Sequence, residues 1–127
     1  MIDSRATEQT FEDATRAYIV AALWTSIGRD DMPLDDAYDA SDLAPETAEA
    51  MRADVVDFLE LCWREDLDLG ALEADQIGHD FWLTRNGHGA GFWDRGLGDL
   101  GDRLTELCRP YGEAYLYVGD DGQIHTQ

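Results

Sequence analysis

Apolar residues recur along this chain in two rhythms. Ala48, Met51, Val55, Phe58, Leu59 and Cys62 are three and four apart, the spacing that gives a helix one apolar face. Pro45 suits the first position of that helix, and Asp42 or Ala44 its cap. Leu100, Leu104 and Leu107 repeat the spacing between Gly98 and Arg109, and Pro110 and Gly112 stop the helix they predict. A third helix is expected from Phe11 to Ser26, after a capping pair of Thr10 and Asp13, and it ends at Gly28. Within it, residues 17–24 are apolar almost all round, which predicts a central and largely buried element.

Elsewhere the period is two. In residues 113–118, Ala114, Leu116 and Val118 fall on one side and Tyr115 and Tyr117 on the other. Asp121-Gly122 is a hairpin turn, so residues 124–127 return as a short edge strand. Residues 77–84, rich in aromatic and β-branched side chains, also read as a strand. Residues 86–91 become its glycine-rich turn, and Phe92-Trp93-Asp94 the returning strand. Residues 65–76 connect, with Leu67, Leu69 and Leu72 covering the core. The order is helix, helix, hairpin, helix, hairpin. It predicts an α+β fold of about three helices packed on one face of a small three- to four-stranded antiparallel sheet. Residues 1–127 fit a single domain whose first nine residues are polar and flexible.

Charge changes the picture more than composition does. The chain has 28 acidic residues against nine basic ones, for a net charge of −19, and all nine basic residues are arginine. A field of that sign repels nucleic acid and anionic membranes and attracts basic partners. Such acidity fits three roles: solubility, adaptation to high salt, or imitation of the phosphate backbone of DNA. The longest apolar run is too short to span a bilayer, and no basic-then-apolar leader opens the chain, so a cytoplasmic setting is expected. Cys62 and Cys108 each fall on the apolar side of a predicted helix and read as buried free thiols.

Two groups of residues are candidates for function. The first is acidic. Asp30, Asp31, Asp35, Asp36 and Asp39 crowd the loop after the first helix, without the glycine and terminal glutamate of an EF-hand. Glu46, Glu49, Asp57 and Glu60 line the polar face of the second helix, where residues three and four apart are neighbours. The second group surrounds the glycines. His79, Asp80, His88 and Asp94 are the residue types that ligate metals or exchange protons near neutrality. Their spacing matches no known ligand motif, and the glycines at 87, 89 and 91 do not form a dinucleotide-binding loop. Alternatively these aromatics are core and the glycines only permit the turn.

The run from Gly78 to Gly96, Gly-His-Asp-Phe-Trp-Leu-Thr-Arg-Asn-Gly-His-Gly-Ala-Gly-Phe-Trp-Asp-Arg-Gly, resembles the signature of a family of small proteins from tailed bacteriophages, prophages and mobile elements. The resemblance extends to residues 42–47, 100–105 and 116–122, and residues 27–40 depart from it. It implies a phage setting and no particular reaction.

Two functions follow as expectations. In the first, this is a binding protein without a cofactor, which blocks a basic host DNA-binding or DNA-processing protein such as a restriction, CRISPR or repair factor. The nine acidic residues of the first group are then the contact surface. In the second, it is a small metal-dependent hydrolase or metal-binding protein built on His79, Asp80, His88 and Asp94, with Arg85 or Arg95 binding an anion.

Overall fold

The structure is a computed structural model, and it describes residues 8–28, 30–70, 72–87 and 91–126. Four α-helices carry it: α1 (Glu8–Thr25), α2 (Pro45–Arg64), α3 (Ala74–Arg85) and α4 (Asp99–Cys108). A two-stranded antiparallel sheet, β1 (Leu116–Val118) and β2 (Ile124–Thr126), completes it. Single 3₁₀ turns form at Leu34–Asp36, Ala40–Asp42, Phe92–Asp94 and Arg109–Tyr111. The α+β reading holds in this coarse sense. The three- to four-stranded sheet backed by helices is corrected to a helical body with one small hairpin.

The difference lies at residues 77–84, which are helix α3 and not a strand. Ile77, Gly78, Asp80, Phe81, Trp82, Leu83 and Thr84 are all buried. A helix surrounded by protein has no polar stripe, so it lacks the 3.6-residue signature that marks a surface helix. Asn86-Gly87 ends α3 instead of turning a hairpin. The amide of Asn86 donates to the Trp82 carbonyl (3.3 Å), and Gly87 has φ +70°, the left-handed conformation that glycine adopts without strain. Phe92–Asp94 is accordingly a 3₁₀ turn and not a returning strand.

α3 is the central helix, and α1 covers it. The two cross so closely at Gly78 that a Cβ built there would lie 1.9 Å from the Ala14 carbonyl oxygen. Tyr18 of α1 stacks on Phe81 of α3 with ring centroids 5.2 Å apart, and meets Trp82 edge-on at 5.3 Å. From α2, Phe58 lies almost parallel to Phe81 at 4.2 Å and reaches Phe92 at 5.9 Å. The apolar face read for α2 is as predicted, with Met51, Val55, Phe58, Leu59 and Cys62 buried and Pro45 at its first turn. Leu104 and Cys108 of α4 close the core, and Leu69 of the connector is buried as well. The alternation in β1 also holds, with Leu116 inside and Tyr115 and Tyr117 outside. β2 docks on the entrance to α2, where the Ala44 amide donates to the Ile124 carbonyl (3.0 Å). Both cysteines are free and buried; burial pushes the Cys62 thiol up to about 12 and raises Cys108 too. Among the described residues no helix is long and apolar enough to cross a membrane.

The Ala14–Gly78 contact leaves no room for a methyl group, and the obstacle is backbone, which cannot rotate away. Gly78→Ala should therefore destabilise by about 3 kcal/mol, the upper end of ordinary overpacking. Gly87→Ala, where nothing lies within 4 Å of the added Cβ, should cost about 1 kcal/mol from its positive φ alone. Urea melts of the two variants check the ranking, and equal midpoints would disprove the close crossing.

Candidate functional site

The acidic group splits by what each carboxylate touches. The segment between α1 and α2 is pinned by Leu34, which is buried, and by the Leu34 amide donating to the Ser26 carbonyl (2.9 Å). Several of its acids fold it. Asp30 Oδ1 accepts from the Met32 amide (3.1 Å). Asp39 accepts from the Ser41 amide (2.9 Å) and hydroxyl, and Asp42 Oδ2 accepts from the Asp39 amide (2.8 Å), a reciprocal capping box. The Ser41 hydroxyl, and then its amide, hold the Asp39 carboxyl below the usual range. Asp31, Asp35 and Asp36 point into solvent.

On α2, Glu46, Glu49, Asp57 and Glu60 are all exposed on the face opposite the core. Asp57 Oδ2 accepts from the Tyr111 hydroxyl (2.6 Å), and Glu46 lies 3.9 Å from the His125 ring. Burial first, and then the bond to Asp57, push the Tyr111 hydroxyl upward. All nine acidic residues singled out by sequence are thus on the surface. Asp31, Asp35, Asp36, Glu49 and Glu60 have no cation within ion-pair distance among the described residues.

Of the four candidates around the glycines, His79, Asp80 and Asp94 are among the described residues. Asp80 is fully buried on α3 and is held by a two-pronged guanidinium. Arg95 Nε donates to Oδ2 (3.0 Å) and its terminal nitrogen to Oδ1 (2.8 Å). That bond to Asp80 is the main reason the Arg95 guanidinium is held more firmly charged than usual. His79 Nδ1 lies 3.3 Å from the same carboxylate, and its ring stacks on Trp24 at 6.5 Å. Asp80, His79 and Arg95 border a shallow cavity of about 310 Å³. Asp94 is exposed on the 3₁₀ turn beside Arg95, and His88 lies outside the described residues. Thr84 Oγ1 accepts from the Phe92 amide (3.0 Å). Arg95 and Thr84 together fasten the segment after the glycines onto α3. Among the described residues, no three His, Cys, Asp or Glu side chains are grouped to hold a metal ion.

Arg85, expected from the sequence only as an anion binder beside the glycines, has a structural role that the sequence reading missed. Its side chain is buried and donates to four oxygens from three directions. These are the Tyr18 hydroxyl (2.9 Å), Asp54 Oδ2 (2.8 Å), the Gly112 carbonyl (2.8 Å) and the Tyr111 carbonyl (2.8 Å). Burial pushes Tyr18 up to about 12 against the opposing pull of Arg85, so the pair stays Tyr–OH and guanidinium at neutral pH. A lone arginine after an aromatic run was the only signal in the sequence.

No protein-family model, curated protein or solved structure matches the chain.

The Asp80–Arg95 pair is asymmetric, since Asp80 is inaccessible while Arg95 is partly exposed. Arg95→Met strands a buried carboxylate and should destabilise by about 3 kcal/mol. Asp80→Asn should cost less, because the released guanidinium can turn to water. Chemical denaturation of both variants tests this, and a larger loss for Asp80→Asn would contradict the proposed clamp.

Proposed function

We propose that this chain is a small acidic accessory protein of phage type that binds a basic host protein which normally handles DNA, and thereby blocks it. The observation that supports the reading is the exposed carboxylate surface, five members of which have no cation within ion-pair distance among the described residues. Surface charge that is neither paired nor folded into turns is free to meet charge on a partner. The size of the effect limits how it works. A helical row with a carboxylate every three or four residues supplies about one charge per 5 Å. Duplex DNA presents about one per 1.7 Å. The α2 row alone is therefore too sparse to stand in for a phosphate backbone. Asp31, Asp35 and Asp36 on the segment before α2 supply a second group of the same sign, and both groups are needed.

The test is competition between this protein and duplex DNA for the captured host protein. Binding should weaken steeply with salt, because steering of opposite charges dominates such encounters. Asp35→Asn with Asp36→Asn, or Glu49→Gln with Glu60→Gln, should each lower affinity roughly tenfold while leaving the melting temperature unchanged, since no fold contact is lost. His79→Ala should leave affinity as it was. Full binding by both acidic variants, with loss in a folded His79→Ala protein, would move the function to the cavity beside Asp80.

A further inference from the structure

A groove of about 640 Å³ runs along α1, roughly opposite the side of that helix that packs on α3. Ile19, Val20 and Leu23 of α1 form one wall, and Tyr38 of the acidic segment stands across from them. Val20, on the groove wall, is 57% exposed, and Trp24 (54%) is exposed beside it on α1, against His79. A soluble domain seldom leaves a wall of this kind uncovered without a use.

The rim is acidic in effect. Glu12, Asp35 and Asp39 line the groove, and so do Arg16 and Arg52. Each of those arginines is already paired with another carboxylate: Arg16 with Asp13 (3.3 Å) and Arg52 with Glu8. Counting the carboxylates those arginines pair with, five acids (Glu8, Glu12, Asp13, Asp35 and Asp39) stand against two arginines, so the rim keeps an acidic excess. Arg52 sits on the flank of α2 between its buried and acidic faces, so the groove adjoins the surface assigned above.

We propose that this groove docks a basic amphipathic helix of the partner protein. Two or three apolar side chains of that helix, spaced three or four apart, enter between Ile19, Val20, Leu23 and Tyr38. Its lysines or arginines lie along Asp35, Asp39 and Glu12. The lining of α1 from Glu12 to Leu23 spans about 16 Å, enough for three turns of a docked helix. Charge complementarity selects this occupant. A second copy would bring another net charge of −19 to the same rim. A neutral apolar molecule would leave the carboxylates without a partner. This inference rests on the reading that the partner is basic, and adds that the partner is recognised by shape as well as by charge.

Two synthetic helices test it, each about 18 residues long and of equal charge, one of leucine and lysine and the other of glutamine and lysine. Calorimetric titration of the full chain should find the leucine–lysine helix bound at least roughly tenfold more tightly. Val20→Lys should abolish that advantage. Ala53→Lys, the same change of charge on the exposed outer face of α2, should leave it within about twofold. Asp35→Lys repeats the loss without altering the apolar wall, which separates loss of docking from any misfolding of the Val20 variant. Equal affinity for the two helices, or equal losses from Val20→Lys and Ala53→Lys, would overturn the groove while leaving charge-driven binding in place. No binding of either helix would overturn both. Tighter binding of a neutral detergent, insensitive to Asp35→Lys, or a concentration-dependent dimer lost in Val20→Lys, would assign the groove to another occupant and overturn the proposal.

Discussion

The crossing of α1 and α3 at Ala14 and Gly78 is the constraint on which the other contacts depend. Because no side chain separates the two backbones there, the helices approach far enough for Tyr18 to stack on Phe81 and meet Trp82. Phe58 then closes on Phe81 from α2. Moving α1 outward by the width of one methyl group would loosen all of these contacts together, since close-packed aromatic contacts weaken steeply with distance. It would also carry the Tyr18 hydroxyl away from Arg85, whose remaining partners lie on α2 and on the stretch before β1.

The glycine-rich stretch carries much of the architecture. Asp80 and Arg95 form an internal clamp, Thr84 receives the amide of Phe92, and Asn86 Oδ1 accepts from the Ala114 amide (2.9 Å). Residues that stand out in the sequence as candidate chemistry are in large part joints between α3 and the chain that follows it. The unsatisfied charge lies elsewhere, on α2 and on the segment before it. On those two elements structural and unpaired acids alternate among the described residues: Asp30, Asp39, Asp42, Asp54 and Asp57 hold the fold, whereas Asp31, Asp35, Asp36, Glu49 and Glu60 face solvent.

The surface helices were legible in the sequence because each has one wet side. Leu104 and Cys108 in α4, and the run from Met51 to Cys62 in α2, repeat at helical spacing for that reason. The last hairpin was legible because β1 is buried on one face only. α3 was not legible, because burial on all sides removes the periodicity, and Phe81, Trp82 and Thr84 favour strands when taken one at a time. Its ends did carry a signal: Asp75 in the first turn, Arg85 in the last, and Asn86-Gly87 just beyond. The Asn-Gly pair is common to helix ends and hairpin turns, and the hairpin reading prevailed. The exposed placement of Glu46, Glu49, Asp57 and Glu60 was legible from helical spacing, and that of the five loop aspartates from the polar composition of their segment. The groove was not, because it needs Tyr38 brought against α1 by the fold of the segment between.

A helix whose cover is encoded so much later has consequences while the chain is being made. Roughly sixty residues separate Ala14 from Gly78, so at about 5–20 residues per second α1 waits several seconds for α3 to emerge. During that interval the side of α1 formed by Ala14, Tyr18, Ala21 and Ala22 has no cover from α3, and the groove side carries Ile19, Val20 and Leu23. The nascent chain thus offers a helix with apolar side chains around most of its circumference, flanked by acids that discourage its meeting another copy. The same net charge of −19 that covers the finished surface thus acts on the unfinished chain as well, by repulsion between copies.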